Sequence, residues 1–270
     1  MKKFIIALLL TGFVSSHSVN DLWLLPEKFM YEPGEPVNIC LKTGDHFEGV
    51  NWDGDTSDIS KLDFYFTEVR DDLIGAMGCR RGDSIQLSVF DESTAMVTFK
   101  SKNSFSSQEA VYFNTSLQDQ ALNEVYDYRS VHNETDSTGY EYSQWNIKTI
   151  FQVGTQLTNT FKQQTDLPID IILQENPYSF KDTGMLDVRI YFQNEVLKNA
   201  LVKIWHRQSD TTSIQVLQTN EEGEIRFLLQ PSGKWMLTCV KMIKNKDEDD
   251  TGSAAMAWQS YRGTCTWGYE

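Results

Sequence analysis

The chain is expected to be mainly β, folded as two immunoglobulin-like β-sandwich domains with a short helical insertion in the first. Three observations predict this. Apolar residues alternate with polar ones at period two in several separate runs, which is the pattern of half-buried strands. Turn-forming clusters punctuate these runs at short intervals, the cadence of antiparallel sandwiches. The composition is that of a globular chain: of 270 residues, 40% are hydrophobic, 12% aromatic and 23% charged, with 16 Gly and 6 Pro. That balance excludes collagen-like, coiled-coil and disordered classes.

Met1-Lys2-Lys3 followed by the apolar run Phe4 to Phe13 and the small residues Val14-Ser15-Ser16 has the organisation of an export leader. A leader over residues 1–16 places the mature protein in the periplasm or outside the cell. The apolar run is too short to span a bilayer, and no later run approaches the roughly 20 residues a membrane helix needs. The formal charge is -14, and loss of Lys2 and Lys3 with the leader lowers it to -16. A charge of this sign repels phosphate backbones, so nucleic acid is not an expected partner.

The first strand run is Val37, Ile39 and Leu41, alternating with Asn38, Cys40 and Lys42, after the turn Glu32-Pro33-Gly34. Further turns are expected at Asp53-Gly54 and Arg81-Gly82-Asp83. Between residues 106 and 128 the period changes. Ala110, Phe113, Leu117, Ala121, Leu122 and Val125 recur at three or four residues, and Ser106-Ser107-Gln108-Glu109 and Ser116-Leu117-Gln118-Asp119 have capping-box spacing. One interrupted helix or two short ones are predicted there. The polar, proline-stopped stretch Gln163 to Pro168 divides a first domain, 17–164, from a second, 165–270. The strand cadence then restarts with Leu186, Val188, Ile190 and Phe192, and continues with Ile225, Phe227 and Leu229 between turns at Asn220 to Gly223 and Pro231-Ser232-Gly233.

Asp21-Leu22-Trp23-Leu24-x-Pro26 followed by Pro33-Gly34-Glu35-Pro36-Val37 resembles the opening of a bacterial family of exported proteins carrying a domain of unknown function, often labelled nickel-transport-complex subunit-like. Later blocks match in order: Tyr142-Ser143, Lys148-Thr149, Gln152-Val153-Gly154, Asn176-Pro177-Tyr178, Ala200 to Arg207, Gly233-x-Trp235 and Trp258 to Tyr261. The resemblance covers nearly the whole mature chain and implies two immunoglobulin-like sandwiches. Where the family has His directly before the Asp-Leu-Trp run, this chain has Asn20.

The resemblance implies metal uptake, and the residues offer a few donors for nickel, cobalt or copper. Cleavage after Ser16 makes His17 the first residue, with amine and imidazole as a two-donor chelate; cleavage after Ser18 removes it. His132, with Glu134 and Asp136 close in sequence, is an oxygen and nitrogen set or a solvated loop. His206 shares a strand face with Ala200, Val202 and Ile204, while Lys203, Trp205 and Arg207 point the other way. It is either a ligand or a buried histidine satisfied by a hydrogen bond. His46 falls in the loop after a strand. Asp53-Gly54-Asp55-x-x-Asp58 lacks the closing Glu of an EF-hand loop and reads as an acidic turn.

No nucleophile elbow or phosphate-cradling loop is present. The function expected is therefore a non-enzymatic exported accessory or binding protein linked to metal-ion uptake, with a metal ion or a transporter component as partner. A glycan- or protein-binding surface module is the alternative, its stacking surface drawn from Trp52, Trp145, Trp205, Trp258 and Trp267. Of the four cysteines, Cys239 and Cys265 share apolar strand faces in the second half and are expected to bridge, with isolated buried thiols as the alternative.

Overall fold

A computed structural model describes residues 20–76, 85–245 and 257–270. The expected leader, His17, Cys79, the turn at residues 81–83 and most of the acidic run before residue 251 lie outside the described residues. In chain order the elements are β1 (Asp21–Pro26), β2 (Met30–Tyr31), β3 (Pro36–Asp45), β4 (Glu48–Asn51), β5 (Ile59–Phe66), β6 (Val69–Asp72), β7 (Ile85–Ser88), β8 (Ser93–Ser101) and β9 (Ser104–Gln108). Two helices follow, α1 (Ala110–Asp119) and α2 (Asn123–Val131). The remaining strands are β10 (Gly139–Val153), β11 (Ile169–Leu173), β12 (Gly184–Phe192), β13 (Glu195–Val196), β14 (Leu201–Gln208), β15 (Thr211–Gln218), β16 (Glu224–Leu229), β17 (Lys234–Lys244) and β18 (Trp258–Gly268).

The protein is mainly β, and among the described residues its strands form three sheets. A ten-stranded sheet, ordered β15-β14-β17-β18-β10-β8-β5-β6 with β2 and β9 also on β10, is the middle layer. Alternation along its strands sends successive side chains to opposite faces. Phe151, Ile147, Ala95 and Val97 pack on one face against Leu24, Ile39 and Leu41 of the sheet formed by β1, β3, β4 and β7. Ile150, Met96, Cys265 and Trp267 pack on the other face against Ile171, Val188 and Phe227 of the sheet formed by β11, β12, β13 and β16. Two sandwiches result, with the long sheet as their common layer. The joint is β10 beside β18, a parallel pairing that runs from Glu141 opposite Trp258 to Thr149 opposite Thr266.

The period-two runs become strands as expected: β3 buries Val37, Ile39 and Leu41, and β12 buries Leu186, Val188 and Ile190. The helical segment is two helices, but it begins later than the capping spacing implied. Ser106 and Ser107 belong to β9, opposite Glu141 and Tyr140, because a strand ladder satisfies their backbone groups where a helix start would leave them open. Ser116 to Asp119 close α1 rather than open a helix. Both helices cover Met242 and Trp258 through Phe113, Leu117 and Val125.

Cys239 and Cys265 are buried in the apolar core, but both are free thiols. The pairing of β17 with β18 sets Cys239 opposite Gly263 and Cys265 opposite Leu237. The two cysteines are therefore diagonal neighbours, at about 7–8 Å between Cα atoms by sheet geometry, beyond disulfide reach. Burial raises both thiols to about 12.

Candidate functional site

A groove lies where the β3–β4 hairpin leans over the adjoining ends of β14 and β17. It has a volume of about 370 Å³ and is lined by Trp23, Leu25, Lys42, Phe47, Glu48, Gly49, Arg207 and Lys234. Two of its lining residues, Trp23 and Phe47, belong to a buried cluster with Trp205 and Met236. Two local requirements build it. The hairpin closes from Asp45 to Glu48 over the two-residue turn His46-Phe47, with φ of 54° and 60°. Turns with two positive φ values favour Asn-Gly, and bulky residues are rarely held there. Here the turn drops Phe47 edge-on to Trp23 at 5.7 Å and sets His46 edge-on to Trp205 at 5.3 Å. Gly49 is the second requirement: a Cβ there would meet Thr43 O at 2.3 Å and the Trp23 ring at 2.7 Å.

The charges of the groove do not balance. Arg207 on β14 and Lys234 on β17 stand directly opposite one another, a like-charge placement that disfavours the pair unless an anion intervenes. Glu48 pairs with Arg207 at 2.5 Å, Lys42 donates to Asn51 Oδ1 at 2.5 Å, and Lys234 has no partner among the described residues. A chain with a formal charge of -14 thus gathers three cations around one carboxylate.

Next to the groove, Asp21 opens β1 with Asp45 and His46 nearby. Burial raises its carboxyl from 3.8 to about 6, Lys203 and Arg262 oppose the shift, and Asp45 adds to it. The folded state therefore holds a proton on Asp21 where the unfolded chain does not. Stability falls as pH rises from about 4 to about 6 and stays lower above that window. Asp21→Asn is expected to stabilise the protein by about 1–2 kcal/mol at about pH 7.5, a gain that disappears by about pH 4. Urea unfolding at both pH values checks this, and a neutral or destabilising effect at the higher pH contradicts it.

The metal candidates do not converge. Among the described residues no group of three or more His, Cys, Asp or Glu side chains is placed to hold a metal ion. His132 stacks on Tyr128 at 3.8 Å and its Nδ1 donates to Tyr128 O at 2.7 Å. Its loop is organised instead by buried Arg129, which donates to Glu134 O and Ser137 O, both at 2.6 Å, while Asp136 is exposed. His206 lies on the opposite face from Trp205, stacked on Trp235 at 4.0 Å, and its Nε2 donates to Ser232 O at 2.9 Å. His206 is half-buried rather than buried, and its ring is satisfied by that hydrogen bond. Asp55 and Asp58 cap a short helical turn, with Ser57 N donating to Asp55 Oδ1 at 2.7 Å. The expected tryptophan platform is not formed: Trp205, Trp258 and Trp267 are buried, and Trp52 and Trp145 are half-buried.

Sequence reasoning missed Lys42, Phe47 and Lys234. Their strands are distant in the chain, and only the parity of Lys203, Trp205 and Arg207 hinted at a shared face. No helix among the described residues is long and apolar enough to cross a membrane.

Fold and groove together define a three-layer β protein with a cationic, aromatic-lined cleft. The chain belongs to the family described as Domain of unknown function (DUF4198), whose profile matches residues 19–242. No curated protein matches it. Among solved structures it is similar to the D0-D1 domain of intimin, at 10% identity and a TM-score of 0.21, covering 91% of this chain and 97% of that one. It is also similar to trypsin-activated alpha-2-macroglobulin from Escherichia coli, at 9% identity and a TM-score of 0.20, covering 93% of this chain and 16% of that one. Dimeric latent PorU from Porphyromonas gingivalis gives 9% identity and a TM-score of 0.20, covering 95% of this chain and 21% of that one. The chain thus spans about a fifth or less of the last two. The architecture rests on the chain's own strand pairing.

Proposed function

We propose that this is a non-enzymatic exported binding protein whose groove takes a small organic anion, such as an acidic sugar. The observation that carries the reading is the placement of Arg207 opposite Lys234, with Lys42 beside them and, among the described lining residues, only Glu48 to offset the three. Charge-assisted hydrogen bonds from Arg and Lys to a carboxylate are among the stronger polar contacts, and Phe47 and the rim of Trp23 supply an apolar wall for the body of the ligand. The leader-like residues 1–16 support an exported location. Metal-ion uptake for nickel or cobalt, implied by the sequence resemblance, is the competing proposal; it rests on the acidic chain and on His17, because His132, Asp136 and His206 belong to no group of three donors among the described residues.

Calorimetry separates the two. Glucuronate and N-acetylneuraminate are expected to bind where neutral sugars do not, and Lys234→Glu is expected to weaken binding roughly tenfold or more, the loss of one charge-assisted contact. Binding of Ni(II), Co(II) or Cu(II) that Lys234→Glu leaves unchanged, with no response to either acid, would favour the metal reading.

A further inference from the structure

The groove has two walls, and they belong to different sheets. Lys42 on β3 lies directly opposite Trp23 on β1, and directly paired residues share a face, so Lys42 stands on the face of its sheet that carries Trp23. Arg207 and Lys234 are paired across β14 and β17, on the face of the middle sheet that carries Trp205 and Met236. Trp23, Trp205 and Met236 pack in one cluster. The two faces are therefore turned toward each other, with Lys42 on one and Arg207 and Lys234 on the other.

Each wall carries a lysine that no carboxylate of the described residues answers. Lys42 donates to the neutral Asn51 Oδ1, Lys234 has no partner, and Glu48, the one carboxylate among the described lining residues, is already paired with Arg207. Three cations less one carboxylate leave a local excess of two positive charges. A cleft of similar size, lined in part by Glu124, Lys198 and Lys241, has no such excess. There Lys241 pairs with Glu124 and Lys198 with Glu221, both at 3.1 Å.

We infer that the groove is built for a dianion with an acidic group at each end, one end held by Lys234 with Arg207 and the other by Lys42. The inference rests on the anion reading of the groove and narrows it. A monoanion offsets only half of the excess charge, whereas a dianion offsets all of it. The placement of the two acidic groups follows from the walls. One carboxylate has two oxygens and is satisfied by Arg207 and Lys234 together, which leaves Lys42, on the facing wall, for the second. The body of the ligand then lies against Trp23 and Phe47, which line the groove. Lysine stems are flexible, so the site accepts diacids of more than one length. Lys42 is thus the residue that distinguishes a diacid from a monoacid.

Calorimetry with glucarate and gluconate tests this, because the two open-chain acids differ only in carrying a carboxylate or a hydroxymethyl group at the second end. Glucarate is expected to bind roughly tenfold or more tightly than gluconate, the gain from one charge-assisted contact. Lys42→Gln is expected to bring glucarate down to the level of gluconate and to leave gluconate unchanged, whereas Lys234→Gln weakens both. Lys42→Arg keeps the charge and is expected to keep the preference for glucarate, which separates loss of the cation from damage to the fold. Equal affinity for the two acids overturns the inference, as does a Lys42→Gln variant that weakens both alike. Binding of glucuronate without any preference for glucarate over gluconate overturns the dianion and leaves the anion reading standing; no response to any of the three acids overturns both.

Discussion

Asp170→Asn is expected to destabilise the protein by about 3–5 kcal/mol, the range for breaking one partner out of a buried ion pair. Lys148 on β10 and Asp170 on β11 are 1% and 2% exposed and form an ion pair between the middle sheet and the sheet that covers its second face. The pair is fully enclosed by further bonds. Lys148 Nζ also donates to Ile171 O at 3.1 Å, and Asp170 Oδ2 accepts from Thr165 N at 2.6 Å and Thr165 Oγ1 at 3.0 Å. Removing the carboxylate charge leaves an ammonium in the core, and the one amide oxygen of Asn can face either Lys148 Nζ or the Thr165 donors, not both. Replacing both partners, Lys148→Met with Asp170→Leu, removes the buried charges together and is expected to recover part of the loss, less the Thr165 bonds. Urea unfolding of the single and double variants measures this; a loss below about 1 kcal/mol for Asp170→Asn would show that water reaches the site.

Arg262→Met is expected to cost about 3 kcal/mol for the same reason at the parallel joint between β10 and β18. Arg262 is 5% exposed; its Nη2 donates to Glu141 Oε1 at 2.7 Å and its Nη1 to Gln120 Oε1 at 3.4 Å, which ties the joint to the end of α1. Ser260 Oγ also donates to the same Glu141 oxygen. Without the guanidinium, Glu141 is left buried with one hydroxyl partner. Glu141→Gln is expected to cost less than Arg262→Met, because the amide oxygen still accepts from Ser260 and Arg262. Denaturation midpoints of both variants give the order, and the reverse order would contradict this account.

The strand content was legible because a half-buried strand needs only local alternation to declare itself. Val37, Ile39 and Leu41, or Leu186, Val188 and Ile190, read correctly without any knowledge of their partners. The opposed directions of His206 and Trp205 followed from the same period, and so did the shared face of Cys239 and Cys265. Local signals failed where two local solutions competed. Ser106 and Ser107 have the chemistry of a helix start, yet their pairing with Glu141 and Tyr140 lies more than 30 residues away and prevailed. Which strands meet, and in what register, was decided only in three dimensions. Register set Cys239 and Cys265 two residues apart across the ladder, brought β18 alongside β10 to fuse the two sandwiches, and faced Arg207 with Lys234. The groove exists because the His46-Phe47 turn is held at positive φ by the packing of both rings on Trp23 and Trp205, a long-range contact that overrides what those two residues prefer in isolation. Period and composition act over a few neighbours, so the chain alone determines its strands; register and strained turns are settled by contacts distant in sequence, so only the folded structure assembles the site.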